Sequence, residues 1–364
     1  MAFFSIPGIG ITGISACVPH KICRNQDYSI IPEKERTEII RVSGIKQKRH
    51  AGKSIAASDL CLSAAEALIA KLGWVKDEID LLVFISQSPD YVLPATACVL
   101  QERLGLPKNC AAFDINMGCS AYVYGLSVVS GMLSWGGIRK ALMLVGDVST
   151  RGCSHRDKTT MTVFGDAGTA TALEHDPCAP EMHFSLCTDG NKYRSIIIPE
   201  GGFRKPASSE TFRYRKYGKG ITRNRIQLAL DGSPVFKFAL TEVVPHIRQF
   251  MEQTGRDQKT IDYFVFHQAN RIINEPVRKK LGLPAEKVPS SLSLFGNTGP
   301  ASIPLTIVTE LQKEIGIKPL SFLMSGFGAG FSWGSCIVEV RKPVCPVIIE
   351  YVTSADKTEK VKTG

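Results

Sequence analysis

The strongest constraint in this sequence is a set of short, unbroken apolar runs. Asp80-Leu-Leu-Val-Phe-Ile-Ser86 shows no polar/apolar alternation. A strand built from it has two apolar faces and must be covered on both. Ala111-Ala-Phe-Asp-Ile115 and Ala141-Leu-Met-Leu-Val-Gly146 read the same way. Between such runs the spacing becomes helical. Over Ala56–Leu72 the residues Leu60, Ala64, Ala67, Leu68 and Leu72 share a face, and Gly73 suits a C-cap. Doubly buried strands alternating with helices predict an α/β fold with a covered sheet. A first strand is expected over Gly8–Cys17.

The second half repeats the scheme. Asp262-Tyr-Phe-Val-Phe266 echoes Asp80–Ile85, and Ser321-Phe-Leu-Met-Ser325 echoes Ala141–Val145. Cys119–Leu133 and Ala301–Leu311 are apolar helical stretches that each follow a Gly-containing turn. The order of these parallels implies a duplicated α/β unit. Its first copy is expected over 1–174 and its second over 227–364, with a connecting segment at 175–226 and a short Lys-rich tail from about Ser354.

A chain of 364 residues, 44% hydrophobic and 21% charged, can bury a large core. Those figures exclude a disordered chain and a small disulfide scaffold. The 11 cysteines are scattered with no C-x-x-C pair, so a structural metal site is not expected. They fit buried thiols in a reducing, cytoplasmic setting. The first twenty residues lack Lys and Arg, but Pro7, Gly8, Gly10 and Gly13 interrupt them, which favours a strand over a signal peptide. No uncharged apolar stretch reaches about 18 residues, so no membrane span is expected.

The net charge of +10 points to an anionic partner. Part of it lies in Gly201–Arg225, where Arg204, Lys205, Arg213, Arg215, Lys216, Lys219, Arg223 and Arg225 face a single acidic residue, Glu210. Phe212, Tyr214 and Tyr217 interleave with them. A nucleic-acid surface is one reading; a solvated, mobile loop is the plainer one.

Four segments carry possible chemistry. Met117-Gly-Cys-Ser-Ala-Tyr-Val-Tyr-Gly125 puts Cys119 where a helix opens, so backbone N–H groups would stabilise its thiolate, and Gly118 would leave room for a substrate. A buried structural cysteine is the alternative. Phe266-His267-Gln-Ala-Asn270 ends a strand, where sites collect in α/β folds. Phe295-Gly-Asn297-Thr-Gly-Pro-Ala-Ser-Ile303 is a tight turn opening a helix. Ser325-Gly-Phe-Gly-Ala-Gly-Phe-Ser-Trp-Gly334 can bring backbone N–H groups close to a ligand, but no Gly-Lys-Ser/Thr follows as in a P-loop.

Together, in this order, these segments resemble the condensing enzymes of the thiolase superfamily, and most closely β-ketoacyl-acyl carrier protein synthase III. The matching pieces are Gly118-Cys-Ser, Phe164-Gly-Asp-Ala-Gly, His267-Gln-Ala-Asn, Gly296-Asn-Thr-Gly-Pro-Ala-Ser-Ile-Pro and Gly326-Phe-Gly-Ala-Gly-Phe-Ser-Trp-Gly. The resemblance implies a thiolase-like α/β fold, two duplicated mixed halves forming a layered αβαβα core. It implies Cys119 as acyl acceptor, with His267 and Asn297 as donors to the enolate left by decarboxylation of a malonyl-type thioester. The backbone N–H groups of Cys119 and Ala329 would form the oxyanion site. Asn270, Phe327, Lys158 and Arg271 would contact the pantetheine arm or substrate.

The same resemblance implies no bound cofactor and no metal, with coenzyme A or phosphopantetheine thioesters as substrates. Partners would be an acyl carrier protein, acyl-coenzyme A and a second copy of the chain in a homodimer, with no nucleic acid. Leu93, just before Pro94, would close the acyl pocket across that dimer where a Phe is common in relatives. Some positions depart from the family pattern. Glu38-Ile-Ile-Arg-Val-Ser-Gly-Ile45 lacks a Trp that stacks on adenine, Lys158 replaces an Arg, and Ile272 stands where an Arg is usual, with Arg271 one place early. These changes put the usual coenzyme A grip in question and favour an acidic carrier protein as donor. Cys336 is expected in the core rather than as a second catalytic thiol. Acyl transfer from Cys119 to an alcohol or amine, or a non-catalytic role, are the alternatives.

Overall fold

The structure, a computed structural model, describes residues 2–352. The Lys-rich tail singled out from about Ser354 lies outside the described residues. Two mixed sheets face each other. The six-stranded sheet runs in the order Ile349–Tyr351, Ile9–Pro19, Ala167–His175, Lys140–Asp147, Leu81–Ile85, Ala111–Ile115. The five-stranded sheet runs Ala2–Ile6, Met182–Thr188, Ser332–Val340, Leu320–Gly328, Tyr263–Phe266. The strand Leu81–Ile85 is buried at every position, as its unbroken apolar run requires.

Helices fill three layers around these sheets. Ala121–Ser134 and Ser302–Glu310 lie between the sheets and share one core with both. The first of these is apolar on most of its circumference, which suits a helix buried on all but the narrow face that carries Val128. Ala57–Leu72 and Thr96–Arg103 cover the outer face of the six-stranded sheet. Val244–Thr254 and Arg271–Leu281 cover the five-stranded one. The result is the expected layered αβαβα core. Ala57–Leu72 ends where the sequence places its cap: Gly73 has φ +65° and its N–H meets the Ala70 and Ile69 carbonyls.

The parallels between halves extend to backbone detail. Leu81–Ile85 pairs in parallel with Lys140–Asp147, and Tyr263–Phe266 pairs in parallel with Leu320–Gly328. Asp80 Oδ2 accepts the Arg139 N–H at 2.7 Å, while Asp262 Oδ2 accepts the Ser321 N–H at 2.8 Å. The same carboxylate thus fastens the start of the neighbouring strand in each sheet.

The sheets also exchange strands, which the division by sequence does not anticipate. Met182–Thr188, inside the stretch expected to connect the halves, pairs antiparallel with Ser332–Val340. The strand expected over Gly8–Cys17 is present as Ile9–Pro19, but it is not the first: Ala2–Ile6, which the sequence reading passed over, precedes it on the other sheet. Pro7 has no N–H to donate and Gly8 sits at φ +73°, so pairing stops there and the chain turns from one sheet to the other. At the far end, Ile349–Tyr351 returns to pair with Cys17–Pro19.

The basic segment after Gly201 is exposed over most of its length, as a solvated loop would be, but it is tied to the body at several points. Glu200, only 4% exposed in its side chain, binds Arg225 at 2.6 Å and Lys205 at 2.8 Å, and accepts the Thr211 hydroxyl at 2.6 Å. These partners, Lys205 and Thr211 foremost, pull its carboxyl down to about 2. The hairpin Arg215–Gly218/Ile221–Arg223 is anchored by Arg223, which meets buried Asp157 at 2.9 Å and lies 4.2 Å over the Tyr217 ring. Many of the cations that raise the local charge are therefore consumed in holding the segment.

Candidate active site

Cys119 sits after the strand Ala111–Ile115 and just before the helix Ala121–Ser134, with the Ala121 N–H closing back on the Gly118 carbonyl at 2.8 Å. The Cys119 turn is fastened to the Gly-rich hairpin of the other sheet. Ser120 Oγ lies 2.7 Å from Ser332 Oγ, whose hydroxyl donates to the Ala329 carbonyl at 2.9 Å. A Cβ on Gly118 would lie 2.5 Å from Gln87 Oε1, so the missing side chain makes room for Gln87, and both residues line the cavity into which Cys119 opens.

The electrostatics of Cys119 differ from the expectation. Burial pushes the thiol up to about 12, and the nearby Asp147 carboxylate adds to this. The backbone N–H groups of Ala329 and of Cys119 itself act in the opposite direction. The position before a helix therefore does not give a free thiolate, because desolvation outweighs it. Those same two N–H groups are the pair expected to receive an oxyanion.

His267 follows the strand Tyr263–Phe266 and is 2% exposed. Burial pushes its imidazole down to about 3, against a backbone hydrogen bond with Gly299, so it is neutral near pH 7. Its Nδ1 lies 2.8 Å from Ser302 Oγ, and Phe327 meets the ring edge-on at 5.6 Å.

Asn297 is held by the Phe164-Gly165 motif. Its N–H donates to the Val163 carbonyl and its own carbonyl accepts the Gly165 N–H, both at 2.9 Å. Its Oδ1 accepts the Gly299 N–H at 2.9 Å. That bond fixes the amide, leaving the NH₂ end as the donor for anything bound in the cavity. Asp166 of the same motif is fully buried and accepts the Ala51 N–H at 2.7 Å and the Thr150 N–H at 3.0 Å.

Cys119, His267 and Asn297 open into one cavity of about 840 Å³, together with Asn270, Phe327 and Ala329. Asn270 also caps the helix Arg271–Leu281, accepting the Ile273 N–H at 3.0 Å. Three other expected residues are not among those lining the cavity. Lys158 Nζ is engaged by Glu35 at 2.5 Å beneath the Gly220 turn, so the cation is already paired. Arg271 packs its stem on Gly44, and Ile272 takes the cavity wall instead. Leu93 is 86% exposed. Cys336 is wholly buried on the strand Ser332–Val340, as expected.

Sequence reasoning passed over Gln87 and Asp147, which also line the cavity. Asp147 is buried, and burial pushes its carboxyl up to about 6 against hydrogen bonds from Ser86, Gln87 and Ser88. Its signal was its place at the C-terminal end of the strand Lys140–Asp147, a position that favours sites in such folds. Among the described residues no group of three or more His, Cys, Asp or Glu is placed to hold a metal ion, and no helix is long and apolar enough to cross a membrane.

Comparison with known proteins agrees with this arrangement. Residues 113–190 match the family model of 3-oxoacyl-[acyl-carrier-protein] synthase III, and residues 251–340 match its C-terminal model. The β-ketoacyl-[acyl-carrier-protein] synthase III of Syntrophomonas wolfei is 31% identical over 91% of this chain and 97% of its own length. That of Streptococcus agalactiae is 32% identical over 91% and 98%. The crystal structure of a 3-oxoacyl-(acyl-carrier protein) synthase from Burkholderia xenovorans superposes with a TM-score of 0.90 at 38% identity, covering 96% of this chain and 99% of that one. Near-complete coverage, with the Cys119, His267 and Asn297 motifs inside the matched segments, means that this chain belongs to the β-ketoacyl-acyl carrier protein synthase III family.

Proposed function

We propose that the chain catalyses decarboxylative condensation of an acyl primer with a malonyl-type thioester to give a 3-oxoacyl thioester. The observation that carries this reading is the convergence of Cys119, neutral His267 and the oriented Asn297 amide on one cavity. Cys119 sulfur attacks the primer thioester; its proton leaves with the departing thiol, and an acyl-Cys119 thioester remains. The extender then loses CO₂, and the electron pair of the broken C–C bond becomes an enolate. His267 and Asn297 donate to the enolate oxygen. Neutral donors already in place where charge develops lower that barrier. The enolate carbon attacks the acyl-Cys119 carbonyl, whose oxygen meets the Cys119 and Ala329 N–H groups. Collapse expels Cys119 sulfur and releases the 3-oxoacyl thioester.

The surroundings of Lys158 bear on the donor of the primer. A side chain tied to Glu35 and covered by the Gly220 turn is poorly placed to grip a phosphate. This supports delivery by an acidic acyl carrier protein, with the exposed cations of the basic segment as part of its docking surface. The solvent-exposed Tyr91-Val92-Leu93 segment, 61%, 85% and 86% exposed, and the edge strand Ala111–Ile115 support a homodimer in which Leu93 reaches the partner's acyl pocket. Passing the acyl group to an alcohol without decarboxylation would give the Asn297 amide nothing to stabilise.

The test is Asn297→Ala, assayed for acyl-Cys119 by intact mass and for CO₂ release from malonyl thioester. Acylation is expected to persist while CO₂ release falls about 10²–10³-fold. Unchanged product formation by the variant would overturn the reading in favour of simple transfer.

A further inference from the structure

The condensation reading requires an N–H, not a bare nitrogen, on the cavity side of His267, and a neutral imidazole has only one. We infer that Ser302 sets this tautomer: its hydroxyl donates to His267 Nδ1 and so leaves the ring proton on Nε2. Ser302 is 1% exposed, at the first position of the helix Ser302–Glu310. Among the described residues its Oγ makes two hydrogen-bond contacts, with His267 Nδ1 at 2.8 Å and with the Gln268 N–H at 3.2 Å.

The second contact decides the direction of the first. A hydroxyl has one proton and two lone pairs. The Gln268 N–H can only donate, so it takes a lone pair. If Nδ1 also donated, the Ser302 proton would be left in a buried site without an acceptor, at a cost that native structures avoid. Donation from Ser302 to Nδ1 satisfies both contacts of the hydroxyl and leaves its proton with an acceptor. The imidazole is buried and neutral near pH 7, so the proton missing from Nδ1 is on Nε2. The opposite tautomer would aim a lone pair at an enolate oxygen and repel it.

Ser302 is therefore a positioning residue, acting on the reaction through His267. The inference rests on the condensation reading for its purpose but has a separate readout. In [¹⁵N]histidine-labelled protein at pH 7, His267 is expected to show a protonated Nε2 and a bare Nδ1, with the resonances assigned by their loss in His267→Gln. Ser302→Ala is expected to mix the two tautomers. It should lower kcat for CO₂ release roughly 10- to 100-fold, less than outright loss of an oxyanion donor, with KM and acyl-Cys119 formation retained. Ser302→Thr, which keeps a hydroxyl, is expected to restore the spectrum and most of kcat. A wild-type spectrum with the proton on Nδ1 overturns the inference whether or not the variants fold, and so does an unaltered tautomer in folded Ser302→Ala. If the folded wild type condenses nothing yet shows protonated Nε2, the condensation reading fails and the Ser302 assignment stands.

Discussion

Gly328 packs directly against Cys119: a Cβ added to Gly328 would lie 2.5 Å from Cys119 Cβ and 3.0 Å from its Sγ. The Gly-rich hairpin of one sheet thus reaches Cys119 on the other by giving up a side chain. This closeness puts the Ala329 N–H beside the sulfur. Gly328→Ala is expected to push the hairpin or the nucleophile away, costing about 1–3 kcal/mol of stability as overpacking. Acylation of Cys119 should fall by about 10²-fold or more, because small misplacements of reacting groups are expensive. Thermal unfolding and intact-mass acylation check both parts.

His246 is predicted to weaken the fold in acid. It is 5% exposed, its Nδ1 lies 3.6 Å from Cys187 Sγ, and its Nε2 has no hydrogen-bond partner among the described residues. Burial pushes it down to about 4. Its folded value is below the ordinary one near 6.5, so the unfolded chain takes up the proton first. The stability it contributes is therefore present above pH 6.5 and is lost as pH falls through 4, by up to about 3 kcal/mol. His50 and His267 act in the same direction, whereas Asp147 and Asp166, raised to about 6 by burial, lose stability as pH rises from about 4 to 6. His246→Phe preserves the ring between Phe250 and Trp333 and removes only the titration. Denaturant unfolding at several pH values should show a flatter acid limb than wild type between pH 6.5 and 4; an identical limb would refute the prediction.

Glu200 is predicted to keep the basic segment folded. It joins Lys205, Thr211 and Arg225, three points spread along that segment. Glu200→Ala should speed amide exchange and protease cleavage across residues 200–225. Acyl-Cys119 formation from a small thioester should persist, because the side chain lies outside the reacting groups. Its carboxyl is held low, so the tie exists above the ordinary carboxylate range and loosens only as pH falls toward 2.

The carrier-docking proposal yields a kinetic prediction. Arg213 and Arg215 share Glu210 at 2.9 and 3.8 Å, and their side chains are 72% and 42% exposed. Replacing Arg213, Arg215 and Lys216 with Gln should raise KM for carrier-bound substrate severalfold, as is typical of exposed docking charges. The kcat and the KM for a small thioester should not move. An unchanged KM for the carrier-bound substrate would remove the segment from recognition.

The sequence alone determined the strand runs, the capped helix Ala57–Leu72 and the motifs that carry the proposed site residues Cys119, His267 and Asn297. Each is written locally: doubly apolar runs need cover, Gly73 ends a helix, and the reactive residues sit in short motifs of fixed order. Tertiary structure decided what depends on residues far apart in the chain. The sheets exchange strands because Pro7-Gly8 turns the chain and Met182–Thr188 finds its partner about 150 positions on. Lys158 left the candidate site because Glu35, 123 positions earlier, took its charge. Enclosure pushes the Cys119 thiol up, against the backbone N–H groups of Ala329 and Cys119 that its local motif provides. Desolvation and pairing are sums over neighbours brought in by the fold, and no local motif contains them.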